Sequence, residues 1–107
     1  MSDFHRICRS DRVEEGRLTV GRAGVRQIAV TKVDGQLVAF KNACPHAGAP
    51  LSGGHVQGDT VSCSRHGWAF DMRSGACADQ PLYSLRLWDV REHEGWVEAR
   101  PMEEEIW

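Results

Sequence analysis

Two short pairs of metal-seeking residues stand out in this chain: Cys44 with His46, and Cys63 with His66. Written out they are Cys44-Pro45-His46-Ala47-Gly48 and Cys63-Ser64-Arg65-His66-Gly67. Each pair offers one thiolate and one imidazole, and each ends in a glycine that lets the backbone turn tightly around a bound group. Two soft sulfur donors and two nitrogen donors, arriving as matched pairs, point to a metal centre. On ligand type alone, a structural Cys2His2 zinc site is one candidate. Zinc modules, however, usually pair Cys with Cys at C-x2–4-C and His with His at H-x3–5-H, whereas here the two types alternate.

The pattern C-x-H followed by C-x2-H resembles the Rieske-type [2Fe–2S] motif, in which two histidines replace two cysteines on one iron. The flanks extend the likeness. Residues 44–52, Cys-Pro-His-Ala-Gly-Ala-Pro-Leu-Ser, are similar to the first ligand loop of Rieske ferredoxins, and residues 63–71, Cys-Ser-Arg-His-Gly-Trp-Ala-Phe-Asp, to the second. Gly75 and the Pro81-Leu82 pair stand where the family has a third, proline-containing loop over the cluster. The resemblance implies that Cys44 and Cys63 hold one iron and His46 and His66 the other. It also implies that an imidazole edge at the surface gives the electron a short exit. Neutral histidines in place of thiolates make an added electron easier to accommodate and raise the potential to between about −150 and +300 mV, against about −400 mV for plant-type ferredoxins.

Departures from the family's high-potential branch refine this expectation. Rieske proteins of quinol-oxidising complexes carry an extra cysteine in each loop, joined in a disulfide; Ala49 and Arg65 occupy those positions here. Those proteins also place a serine and a tyrosine after the second His-Gly, whose hydroxyls donate to sulfur. This chain has Trp68 and Phe70. Losing donors to sulfur destabilises the more negative reduced state, so the resemblance implies a potential near about −150 mV. Arg65 adds a cation beside the cluster or on the docking surface, and a solvated arginine is the plainer reading.

The elements that must position these loops read as strands. Turn signals recur at short intervals and helix signals are scarce, so an all-β domain is expected. Residues 27–33 and 36–40 flank Asp34-Gly35, a strong hairpin signal, and the second strand leads into Asn42 and Cys44. Thr60-Val61-Ser62 delivers Cys63, and Trp68-Ala69-Phe70 carries the chain away. Gly53-Gly54, Gly58-Asp59 and Ser74-Gly75 punctuate the middle. A strand from Leu85 to about Glu92 turns back at Glu94-Gly95 through Trp96, Val97 and Ala99. Phe4, Ile7 and Leu18-Thr19-Val20 supply the other edge. The resemblance makes this a Rieske-like β-sandwich of antiparallel sheets, one domain over residues 1–107, with a cluster-binding subdomain at about 42–71. His5 and His93 are expected at the surface and His55 in a loop. Trp68 and Trp88 are expected in the core or shielding the cluster.

The chain has 107 residues, 41% hydrophobic and 26% charged, which suits one globular domain that gains from a metal staple. A net charge of −2 gives no reason to expect nucleic-acid binding. The Glu103-Glu104-Glu105 run reads as a solvated tail. Cys8 and Cys77 lack a partner at ligand spacing and are expected as free thiols, which fits a reducing compartment. The N-terminal residues lack the apolar core of a signal peptide, and no run of 18 apolar residues marks a membrane span. A soluble, cytoplasmic monomer is therefore expected.

No second His/His/carboxylate site of the non-haem oxygenase type is visible, so the chain is expected to carry electrons rather than catalyse. The resemblance is to ferredoxin components of bacterial aromatic-ring-hydroxylating dioxygenase systems. It implies one [2Fe–2S] cluster per chain, loading by an NAD(P)H-dependent flavoprotein reductase, and delivery to a terminal oxygenase. The rival expectation is a Rieske subunit or domain of a larger redox enzyme, such as a nitrite reductase small subunit.

Overall fold

The computed structural model describes residues 3–46, 48–65 and 67–102. Among the described residues nine strands form: β1 (His5–Arg9), β2 (Thr19–Ala23), β3 (Arg26–Val33), β4 (Gln36–Lys41), β5 (His55–Gln57), β6 (Thr60–Ser62), β7 (Ala69–Asp71), β8 (Leu87–His93) and β9 (Trp96–Pro101). Among the described residues the only helical pieces are short 3-10 turns at Ser10–Arg12 and Leu51–Gly53. The strands make two antiparallel sheets. The larger runs β1-β9-β8-β4-β3-β2 and the smaller runs β5-β6-β7. In the larger sheet, the two edge strands curl round against each other.

Both expected tight turns are present. Asp34 and Gly35 have φ of 52° and 78°, and Glu94 and Gly95 have φ of 51° and 83°. Positive φ at both central residues matches the turn twist to the strand twist, which keeps these hairpins in register. The pairing Val33↔Gln36 closes the first and His93↔Trp96 the second.

Strands β3 and β4 are buried on both faces, because they separate two cores. Alternate side chains point opposite ways along a strand, so Ile28, Val30 and Ala39 pack with Trp88, Val97 and Ala99 in the base. Ala29, Val33 and Phe40 face the other way, toward Leu51, Val61, Phe70, Met72 and both Cys44 and Cys63. Phe40, Leu51, Val61, Phe70 and Met72 are fully buried, each worth about 1.5–3 kcal/mol of transfer free energy. This second core joins the small sheet to the large one.

Two placements differ from the sequence expectation. His55 opens strand β5 rather than lying in a loop, since Val56 pairs with Val61 and draws its neighbours into the ladder. His5 is half-buried in β1, its ring 6.3 Å from that of Trp88. His93 is exposed at the end of β8, and Trp88 is buried, as expected. The acidic run Glu103-Glu104-Glu105 lies outside the described residues.

Candidate metal centre

The two ligand loops are built as the same turn. In the first, the Cys44 N–H donates to the Ala49 carbonyl at 2.8 Å and the Gly48 N–H donates to the Cys44 carbonyl at 2.8 Å. In the second, the Cys63 N–H donates to the Trp68 carbonyl at 2.9 Å and the Gly67 N–H to the Cys63 carbonyl at 2.8 Å. Gly48 and Gly67 sit at φ of 74° and 70°, a conformation that costs a residue with a Cβ roughly 1 kcal/mol or more. A glycine four residues after each cysteine is therefore the shared requirement. Within these like turns the sequence sets the histidine two places after Cys44 but three places after Cys63.

Cys44 and Cys63 are each only 2% exposed and belong to one buried cluster, whereas His46 is exposed. The structure thus brings both thiols inward and carries the first imidazole to the rim. His66, the fourth candidate ligand, lies outside the described residues. Among those residues, no group of three or more Cys, His, Asp or Glu side chains is gathered to hold a metal ion.

His46 packs against two aromatic rings that also touch each other. The Trp68 ring lies 4.2 Å from it, and Tyr83 meets it edge-on at 5.5 Å; the two aromatics are 5.4 Å apart. Trp68 comes from the second loop, so this contact shows the loops facing each other. Tyr83 escaped sequence reasoning, which had marked Pro81-Leu82. Proline at the second place of the 80–83 turn fixes the bend, closed by the Tyr83 N–H on the Gln80 carbonyl at 3.0 Å. Leu82 then points outward, 93% exposed, and Tyr83 turns in. An aromatic just after Pro-Leu was the available signal.

Polar staples hold the loops. Asn42 is 6% exposed; its Nδ2 donates to Ser52 Oγ at 3.0 Å and to Gln27 Oε1 at 3.3 Å, and its Oδ1 accepts from the Ser52 N–H at 2.8 Å. This fastens the entry of the first loop to its exit. Asp79 Oδ2 accepts from the Ala69 N–H at 2.9 Å, tying the third loop to the exit of the second. Asp71 Oδ1 accepts from the Arg73 and Ser74 N–H groups at 2.8 and 2.9 Å. These bonds, that to Ser74 foremost, hold its carboxyl below the usual carboxylate range, against a smaller opposing effect of burial.

None of the four cysteines is in a disulfide. Cys8 lies away from the loops, whereas Cys77 is buried in the same cluster as Cys44 and Cys63 and pairs with Phe70 at the exit of the second loop. Burial pushes the Cys8 thiol up, the Arg12 guanidinium pulls it back, and Asp11 adds to the rise. The buried polar side chains among the described residues are Thr31, Asn42 and Glu98. Thr31 Oγ1 donates to the Glu14 carbonyl at 2.9 Å, away from both loops.

The family model for the Rieske [2Fe–2S] domain matches residues 3–89. The chain belongs to the Rieske [2Fe–2S] family. This Rieske domain is 35% identical over 100 residues to the ferredoxin component of the p-cumate 2,3-dioxygenase system of Pseudomonas putida, covering 91% of this chain and 85% of that one. Its fold superimposes, with a TM-score of 0.80 and 30% identity over 96% of both chains, on a structure of the complex of reduced oxygenase and oxidised ferredoxin in carbazole 1,9a-dioxygenase. It is also similar to a structure titled as a putative NADH-dependent nitrite reductase small subunit from Mycobacterium tuberculosis, with a TM-score of 0.79 and 26% identity over 92% of this chain and 95% of that one.

The cofactor of a Rieske domain is a [2Fe–2S] cluster, and the donor set fits it. Two buried thiols on like turns, with the His46 imidazole on the first of them, offer the mixed sulfur and nitrogen donors that such a centre takes.

Proposed function

We propose that this Rieske domain is a one-electron carrier whose cluster is held by Cys44, His46, Cys63 and His66. It takes electrons from an NAD(P)H-dependent flavoprotein reductase and passes them to a terminal ring-hydroxylating oxygenase. The observation that carries the proposal is the asymmetry of the loops: thiols buried in the second core, with His46 exposed at the rim. When bound, the cluster supplies the one-electron couple. The protein's part is to hold and insulate it. The Asn42 and Asp79 staples fix the loops, while Phe70, Leu51 and Val61 keep water from the thiols.

Residues 42–71, with the third loop packed on them, act as the cluster-binding subdomain on the six-stranded base. Trp68 and Phe70 bring no hydroxyl to the cysteine sulfurs, and Thr31 spends its own elsewhere. This supports a potential at the low end of the range, about −150 mV. The unpaired thiols of Cys8 and Cys77 suit a reducing compartment, in keeping with a cytoplasmic monomer. No helix among the described residues is long and apolar enough to cross a membrane.

A spectroscopic redox titration under anaerobic conditions tests the proposal. A coloured protein titrating as one electron near about −150 mV is expected. A midpoint well above zero overturns the low-potential reading, and a colourless zinc protein that iron and sulfide cannot reconstitute overturns the carrier itself. The second reading, a subunit of a larger redox enzyme, draws on the likeness to the nitrite reductase small subunit. Size exclusion of the native protein separates the two, since a carrier runs alone.

A further inference from the structure

A cleft of about 400 Å3 opens beside the first ligand loop. Its lining includes Cys44, Pro45, Leu82 and Tyr83 together with two cations, Lys41 and Arg86. Those two cations are brought together by the sheet: the Lys41 N–H donates to the Arg86 carbonyl at 2.9 Å, just where β4 ends and β8 is about to begin. No carboxylate is among the described residues lining the cleft. The chain as a whole is acidic, at net −2, so this cleft is charged against the average. Arg65, exposed on the second ligand loop, adds a third cation at the same end.

We propose that this cleft receives the carboxylates of an acidic surface on a protein electron-transfer partner, seating that partner beside His46. The inference rests on the carrier reading given above. Three observations favour a protein over a small anion. The two cations line an open cleft rather than an enclosed pocket. Leu82 at the lip is 93% exposed, a side chain that a small anion leaves bare and a protein surface covers. The cleft also adjoins the exposed imidazole, where a docked protein shortens the path for the electron. A cleft lined by one sign of charge concentrates the opposite charge and raises encounter rates by about 10–10³-fold, an effect that salt removes.

The test uses the reduced, cluster-loaded protein and two inorganic oxidants of opposite charge. Ferricyanide takes one electron and becomes ferrocyanide; tris(phenanthroline)cobalt(III) takes one and becomes the cobalt(II) complex. No proton or third reactant enters. Rates are followed by stopped flow from about 10 mM to about 1 M salt, over which the screening length shrinks from about 30 to about 3 Å.

With the basic cleft beside the exit, ferricyanide reacts more slowly as salt rises, despite the acidic whole. At low salt, the double variant Lys41→Glu with Arg86→Glu lowers the ferricyanide rate about tenfold and raises the cobalt rate. Its visible spectrum stays unchanged, and a midpoint lowered by the added negative charge would speed both oxidants alike, so the opposite movement of the two rates reads the steering. Poly-L-glutamate, a stand-in for an acidic protein chain, inhibits ferricyanide oxidation of the wild type and spares the double variant. A wild-type ferricyanide rate that climbs with salt overturns the inference, as does a double variant that reacts like the wild type. Lack of inhibition by poly-L-glutamate overturns the claim of an acidic protein partner. None of these results touches the carrier reading, which fails only if no redox-active cluster can be loaded.

Discussion

Replacing Asn42 by alanine should loosen the first ligand loop. The side chain is 6% exposed and makes three hydrogen bonds, two of them short: Nδ2 to Ser52 Oγ at 3.0 Å and the Ser52 N–H to Oδ1 at 2.8 Å. A neutral hydrogen bond contributes about 0.5–1.5 kcal/mol net, and a buried group left without its partner costs about 1–3 kcal/mol. Ser52 itself is exposed, so water recovers part of the loss at its N–H and hydroxyl. The third bond, to Gln27 at 3.3 Å, is long and adds little. The expected cost is therefore about 2–3 kcal/mol, or roughly 30- to 150-fold in the unfolding equilibrium. Bleaching of the cluster absorbance in urea under anaerobic conditions reads this out, because release of the cluster follows opening of the loop. Bleaching should speed up by as much as that factor. A Ser52→Ala variant, combined with Asn42→Ala in a double-mutant cycle, should show a coupling of about 1 kcal/mol. Bleaching within twofold of the wild type, with no coupling, would refute the staple.

Gly54→Ala places a methyl group 1.9 Å from the Ser62 carbonyl oxygen, one residue before Cys63. Overpacking of this kind costs about 1–3 kcal/mol, and iron content per chain should fall; full retention of the cluster would count against it. His66→Cys puts an anionic ligand where a neutral one is proposed, so the midpoint should drop toward about −400 mV. An unchanged midpoint with an intact cluster removes His66 from the ligand set. Asp71 has its carboxyl held low by the Ser74 and Arg73 N–H groups. Its stabilisation is therefore fully present above about pH 3.9, the unfolded value, and is lost as pH falls through the lower folded value. Urea midpoints of wild type and Asp71→Ala should differ by a constant amount from pH 7 to about pH 5 and converge in strong acid. A gap that persists unchanged through strong acid would show that the carboxylate charge is not what matters.

Much of this protein was legible without coordinates. The alternation of Cys and His at C-x-H and C-x2-H, with glycine four places after each cysteine, is a local pattern. Such turns depend on neighbours in sequence, as the matching hydrogen bonds of Cys44 and Cys63 show. The Asp34-Gly35 and Glu94-Gly95 hairpins were readable for the same reason, since positive φ at two successive residues is a local demand. Tertiary structure alone decided what meets across the chain. It turned Tyr83 inward and Leu82 outward, laid Trp68 on His46, and closed Asn42 on Ser52. It also gathered Lys41 and Arg86 into one cleft although the sequence is acidic overall. Periodicity and turn signals describe each strand's own faces. Which faces and loop tips then share a space depends on the register and curl of the sheets, and on two cores set back to back across β3 and β4.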